Sequence, residues 1–197
     1  MDDRQQQQTK RKKIVEALIL AAPEPITAQK LAQIVPHLKP AAAKALVAEL
    51  KKEYDEQDRA FEVWEVAGGY QIRTRPEYAG YLRQLQVERP LRLSRAALET
   101  LAVVAYKQPV TRAEIEHVRG VDVGATVRSL VDRQLIRIAG HREVPGRPML
   151  YATTRRFLEV FGLTRLEDLP TLRDIEEFLP PPEEAPAAPG EVPGELH

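Results

Sequence analysis

Glu16-Ala17-Leu18, followed by Pro25-Ile26-Thr27 with Leu31 four residues further on, recurs as Glu99-Thr100-Leu101, followed by Pro109-Val110-Thr111 with Ile115. The offset is 83 residues for the first match and 84 for the second, which places one inserted residue in the turn between them. A duplication of this length points to two similar modules, not to one body with a central cleft. Reading outward from the first copy, Ile14, Val15, Leu18, Ile19 and Ala22 recur at helical spacing. Pro23-Glu24-Pro25 ends that helix, and Thr27 is placed to N-cap a second one carrying Leu31, Ile34 and Val35. After Pro40 a third helix presents Leu46, Val47, Leu50 and Tyr54 on one face. Phe61 to Val66 and Tyr70 to Thr74 read as strands, with Gly68-Gly69 supplying the positive φ angles of a tight hairpin turn. Pro76 then opens a closing helix with Tyr78, Leu82 and Leu85.

The second copy repeats the order. Leu98, Leu101, Ala102 and Ala105 form a helical stripe, and Thr111 with Glu114 fits a capping box. Val123, Val127, Leu130 and Val131 mark a third helix. Ile136 and Ile138 flank Arg137 in a strand, Pro145-Gly146 turns the chain, and Met149-Leu150-Tyr151 returns it. Phe157 and Phe161, four apart, anchor a final helix. Three helices and a hairpin make the winged-helix variant of helix-turn-helix. The expected fold is mainly α with small β hairpins: two tandem winged-helix domains plus a disordered acidic Pro-rich tail. The expected boundaries are a disordered N-terminus over 1–12, domains over 13–88 and 89–165, a short helical extension over 166–179, and a disordered tail over 180–197. That tail holds six prolines and only Ala, Val and Leu as apolar residues, too little to offset chain ordering. Glu88-Arg89-Pro90-Leu91-Arg92 is too short for a free linker, so the modules are expected to touch.

Composition narrows the function classes. With no cysteine there are no disulfides, thiol nucleophiles or thiolate metal sites. No apolar run approaches the ~18 to 20 residues of a membrane span, and Met1-Asp2-Asp3-Arg4 followed by four glutamines lacks a signal peptide's apolar segment. A cytosolic protein is expected. Net charge is zero but uneven: 15 Lys/Arg against 13 Asp/Glu over 1–90, 13 against 7 over 91–165, and 1 against 9 over 166–197. The middle segment, at +6, suits an anionic partner.

No active-site pattern is present. Neither G-x-G-x-x-G nor G-x-x-x-x-G-K-[ST] occurs. His37, His117, His141 and His197 show no H-E-x-x-H spacing. Glu116 and His117 are adjacent, so on a helix they point about 100° apart, and Glu114 is already assigned to the cap. Ser94 and Ser129 sit in no nucleophile elbow. The chain is expected to be no enzyme, with no catalytic residue, cofactor or metal. Two motifs exceed what packing requires: Ala105-Tyr106-Lys107-Gln108-Pro109 at a helix–helix turn, and Glu143-Val144-Pro145-Gly146-Arg147-Pro148-Met149-Leu150-Tyr151, a wing stiffened by two prolines and tipped with Arg142 and Arg147. The candidate partner-binding residues are Tyr106, Lys107, Gln108, Pro109, Arg142, Arg147, Pro148 and Tyr151.

The run Leu93-Ser94-Arg95-Ala96-Ala97-Leu98-Glu99-Thr100-Leu101 into Ala105-Tyr106-Lys107-Gln108-Pro109-Val110-Thr111-Arg112-Ala113-Glu114-Ile115 resembles the segregation and condensation protein B family. So do Arg119-Gly120-Val121, Glu143 to Pro148 with Tyr151, Thr153-Thr154, Phe161-Gly162-Leu163 and Asp168-Leu169-Pro170, and in the first module Val66-Ala67-Gly68-Gly69-Tyr70 and Arg73-Thr74-Arg75-Pro76-Glu77-Tyr78. The resemblance covers about residues 14 to 170. It implies two winged helices and a homodimer formed through the N-terminal module. It also implies binding to the kleisin subunit (segregation and condensation protein A type) and through it to the SMC ATPase. The role would be chromosome condensation and segregation, in a nucleoid-associated cytoplasmic complex. Ala21-Ala22-Pro23-Glu24-Pro25 and Val123-Gly124-Ala125 depart from the family's usual turn and third-helix start. The competing reading is a DNA-binding winged-helix transcriptional regulator. Against it, the outward set Gly124, Ala125, Thr126, Arg128, Ser129, Asp132 and Arg133 has no Asn or Gln to read adenine, and Asp132 faces phosphates badly. DNA contact is expected to be weak and non-specific.

Overall fold

The computed structural model describes residues 3–85 and 92–171. The expected 180–197 tail, most of the 166–179 extension and most of the linker lie outside the described residues. The architecture is mainly helical with small antiparallel sheets. In the first half, α1 (Asp3–Ala21), α2 (Ala28–Ile34) and α3 (Pro40–Glu56) precede a hairpin of β1 (Phe61–Val66) and β2 (Gly69–Thr74). A 3-10 turn (Pro76–Tyr78) leads into α4 (Ala79–Leu85). The second half runs α5 (Arg95–Lys107), β3 (Val110–Thr111), α6 (Arg112–Arg119), α7 (Gly124–Asp132), β4 (Ile136–His141), β5 (Met149–Thr153) and α8 (Arg155–Phe161), ending in a 3-10 turn over Leu166–Asp168.

Each half buries its own cluster. Val15, Ile19, Leu31, Leu46, Leu50, Tyr54 and Val63 close the first. Leu101, Val104, Ile115, Val127, Leu130, Ile136 and Phe157 close the second. The side-chain caps fall where the spacing places them: Thr27 accepts from the Lys30 N–H, and Thr111 forms the reciprocal capping box with Glu114. Three expectations are corrected. Residues 3–12 do not form a disordered arm before the first helix, because α1 starts at Asp3. Gln, Lys and Arg are good helix formers, and Lys12 donates to Glu53 of α3 at 2.7 Å, which ties the polar turn down. Pro76 does not open the closing helix itself: Pro76–Tyr78 form a 3-10 turn, and α4 begins at Ala79. No residue of α4 is buried, Leu85 is exposed, and α4 packs chiefly on the turn before it.

The third correction concerns the hairpin turn. Val66 pairs with Gly69, so the turn residues are Ala67 and Gly68, with φ of 50° and 68°. Gly69 lies inside β2 and is needed for proximity: a Cβ there would sit 2.9 Å from the carbonyl carbon and oxygen of Pro25. The approach exists because Ile26 and Tyr70 exchange both backbone hydrogen bonds, at 3.0 and 2.9 Å. In the second half the same position, Val110, pairs with Tyr151 of β5, giving the sheet order β3-β5-β4.

The two halves meet at the first hairpin. The Ala67 N–H donates to the Leu163 carbonyl at 2.8 Å, and the Thr164 hydroxyl donates to the Glu65 carbonyl at 3.2 Å. The Arg155 guanidinium donates to the Pro25 carbonyl. Gly162 (φ +69°) backs onto Trp64, the only tryptophan, whose Cη2 lies 2.6 Å from where a Cβ would be. Arg73 covers the same indole, 3.1 Å from its ring centroid.

The two kinds of glycine give opposite expectations. Gly69→Ala forces a methyl into backbone that cannot yield and should destabilise the chain by ~1–3 kcal/mol. Gly80→Ala, with open space around it inside α4, should stabilise by up to ~0.5–1 kcal/mol. Urea unfolding of both variants checks the pair, and equal effects would contradict the close-approach account.

Candidate partner-binding surface

The turn after α5 is built from its own side chains. Gln108 donates through Nε2 to the Ala105 carbonyl at 3.1 Å. Its Oε1 accepts from the Thr153 N–H at 2.7 Å and the Thr153 hydroxyl at 3.0 Å. Gln108 is therefore committed to holding the turn against β5, while Lys107 and Pro109 on either side are exposed. Tyr106 is 46% exposed, and its hydroxyl donates to the Pro170 carbonyl at 2.7 Å. The chain leaving α8 thus passes beside the turn.

Thr111 and Glu114 then do more than cap α6. Glu114 Oε2 accepts from the Thr111 N–H and hydroxyl, both at 2.9 Å, and its Oε1 accepts from Arg142 Nη1 at 2.7 Å. Arg142 was placed at the wing tip by its sequence position. It instead folds back to pin the wing against α6. Its N–H also donates to the Pro148 carbonyl at 2.9 Å, which closes the base of the wing loop. Arg147, at the tip with φ 37°, keeps a side chain 71% exposed and only a long 3.4 Å contact with Glu143. Tyr151 is half-buried against the second core, between Val110 and Ile138, and its hydroxyl meets Met149 Sδ at 3.8 Å.

Between the turn, α6 and the pinned wing lies a surface groove of about 510 Å3 lined by Lys107, Pro109, Val110, Ala113, Glu114, His117, Val118 and Arg142. Of the candidate residues, Lys107, Pro109 and Arg142 come together here. Tyr106 flanks the groove, Arg147 and Pro148 stand apart on the wing, and Gln108 and Tyr151 act as internal supports. Sequence reasoning missed Ala113 and Val118 and considered His117 only as a catalytic partner. Ala113 and His117 lie four apart on α6, beside Val118, an apolar residue left 47% exposed, a face that no sequence motif marks. A second groove of about 530 Å3, which no sequence motif marked, lies on the first half among Lys13, Glu16, Leu20, Tyr54, Phe61, Ile72 and Arg73.

Glu116 accepts from Arg112 at 2.7 Å and from the Val123 N–H at 3.2 Å, so it serves a loop and not His117. Among the described residues no group of three or more His, Cys, Asp or Glu is placed to hold a metal.

The clamp has a pH signature. Arg142 first, then the Thr111 backbone and hydroxyl, hold the Glu114 carboxyl down from 4.5 to about 2. A depressed acid stabilises the fold above its unfolded value and loses that contribution as pH falls through its folded one. The stability gap between the chain and Glu114→Gln should therefore be full at pH 7 and close between about pH 4.5 and 2. Urea midpoints across that window test it, and a pH-independent gap would remove the carboxylate's charge from the account.

The chain is similar to known proteins over most of its length. The family model described as "Segregation and condensation complex subunit ScpB" matches residues 13–172. The segregation and condensation protein B of Syntrophotalea carbinolica is 54% identical over 167 residues, 85% of this chain and 84% of that protein. That of Symbiobacterium thermophilum is 48% identical over 159 residues, 81% and 72% of the two chains. Among solved structures, ScpB from Mycobacterium tuberculosis shares 37% identity, covering 80% of this chain and 98% of that one, with a TM-score of 0.39. A ScpB N-terminal domain dimer complexed with a ScpA peptide shares 29% identity, covering 40% and 96%, with a TM-score of 0.37. By the length and identity of these matches, the chain belongs to the ScpB family of segregation and condensation complex subunits.

Proposed function

We propose that the chain is a non-catalytic accessory subunit of a bacterial SMC condensin complex, cytoplasmic and nucleoid-associated, that binds the kleisin subunit. In this reading each half is a winged-helix domain, over about 13–88 and 89–165. The first forms the homodimer and the second takes the kleisin. Family membership supports the complex. The single observation that carries the site is the groove between the Lys107–Pro109 turn and the wing. Its walls are held in advance by Gln108 and by the Thr111–Glu114–Arg142 clamp. Walls ordered before binding lose little entropy when a partner arrives. The +6 charge of residues 91–165 favours encounter with an acidic partner segment. DNA binding has less support: Asp132 and Ser129 share the exposed face of α7 with Arg128 and Arg133, where phosphates would have to lie.

Lys107→Glu should weaken kleisin binding by ~1–3 kcal/mol, the usual range for an interface anchor. Lys107 is exposed and outside the core, so the melting temperature should hold. Arg128→Glu on α7 should leave the affinity unchanged. Calorimetric titration of the full chain decides, and the reverse pattern would move the partner to α7. In sedimentation equilibrium the full chain should show twice its 22.2 kDa mass. A monomer at tens of micromolar would contradict the dimer.

A further inference from the structure

The acidic segment after Thr171 has no place in the reading above. We propose that residues 172–197 dock in the groove between α6 and the wing and compete there with the kleisin, an autoinhibitory contact within the chain. The proposal rests on that groove being the kleisin site. Four observations carry it. First, the described chain ends beside the groove. Leu163, Leu166 and Leu169 pack against the second core, and the Tyr106 hydroxyl holds the Pro170 carbonyl. Tyr106 adjoins Lys107, which lines the groove.

Second, the charges are complementary. Residues 172–197 carry one arginine against seven Asp or Glu. In the groove Arg142 and Glu114 pair with each other at 2.7 Å, which leaves the Lys107 ammonium as the unbalanced charge. Among the described residues Lys107 has no ion-pair partner and is exposed. Third, the segment opens with Leu172, Ile175, Phe178 and Leu179 among its acids. The groove offers apolar surface in Pro109, Ala113 and Val118. Fourth, reach is ample: 26 residues extend up to ~85 Å. As a coil their ends lie ~25–30 Å apart, a span that sets a local concentration near ~1 mM. The first-half groove fits less well, since Glu16 lines it and its Arg73 is already paired with Glu62 at 2.8 Å.

The test uses the full chain, a chain ending at Thr171 that retains both buried clusters, and a labelled peptide of residues 172–197. In anisotropy titrations at low salt the peptide should bind the shortened chain and bind the full chain several-fold more weakly. Added salt and Lys107→Glu should each weaken binding to the shortened chain. For a peptide dissociation constant near ~100 μM, the shortened chain should bind the kleisin about tenfold tighter than the full chain does. No peptide binding to the shortened chain, or binding indifferent to Lys107→Glu, would overturn the docking. Kleisin affinity that depends on Lys107 but ignores the truncation would overturn autoinhibition alone. Peptide binding that needs Lys107 beside kleisin binding that does not would uphold the docking and remove the kleisin from the groove.

Discussion

In each half the residue after a proline, Ile26 or Val110, pairs by its backbone with the second strand of the hairpin, at Tyr70 or Tyr151. The threonine that follows, Thr27 or Thr111, caps the next helix. Two neighbouring residues thereby fix both where the second helix begins and which edge of the hairpin lies beside it. Each backbone bond contributes only ~1 kcal/mol net, so the geometric consequence outweighs the energy. With the pairing in place, the hairpin can sit only against the start of α2 or α6, and the buried clusters close around that choice. Gly69 is the local cost: a side chain would not fit where β2 passes Pro25.

The halves then use this frame differently. In the first, the hairpin faces the other half, with Trp64 against Gly162 and the Ala67 N–H on the Leu163 carbonyl. In the second, the wing is held to its own α6 by Arg142 and Glu114. One hairpin is thus spent on joining the halves, and the other is left as an open wall. The groove beside α6 follows directly from that division, and so does the proposed partner preference: a basic, pre-ordered wall suits an acidic segment with apolar residues, whether it comes from another chain or from this one.

Much of this was legible in the sequence because it depends on local rules. The duplicated Pro-x-Thr pattern, both caps and the existence of a hairpin near Gly68 follow from spacing and backbone preference, although the turn itself sits one residue earlier than the glycine pair suggests. What escaped depended on distant neighbours. Nothing near Gly69 announces Pro25. The polar start of α1 looked unsupported because Glu53, which holds Lys12, lies 41 residues away. Arg142 looked like a wing tip because its carboxylate, Glu114, is 28 residues earlier. Gln108 looked like a contact residue because Thr153, which donates to its amide oxygen, is 45 residues later. At the site itself, the turn and wing motifs were visible. The α6 face between them was not, since Ala113, His117 and Val118 form a wall only once the wing is pinned opposite.

The central claim is that the surface framed by the Lys107–Pro109 turn, α6 and the wing receives the partner. Backbone hydrogen exchange of the full chain, with and without the kleisin, reads this without altering a residue. The account predicts slowed exchange across 107–119 and 142–151, with α7 unchanged. Protection on α7 with those two segments unaffected would contradict it.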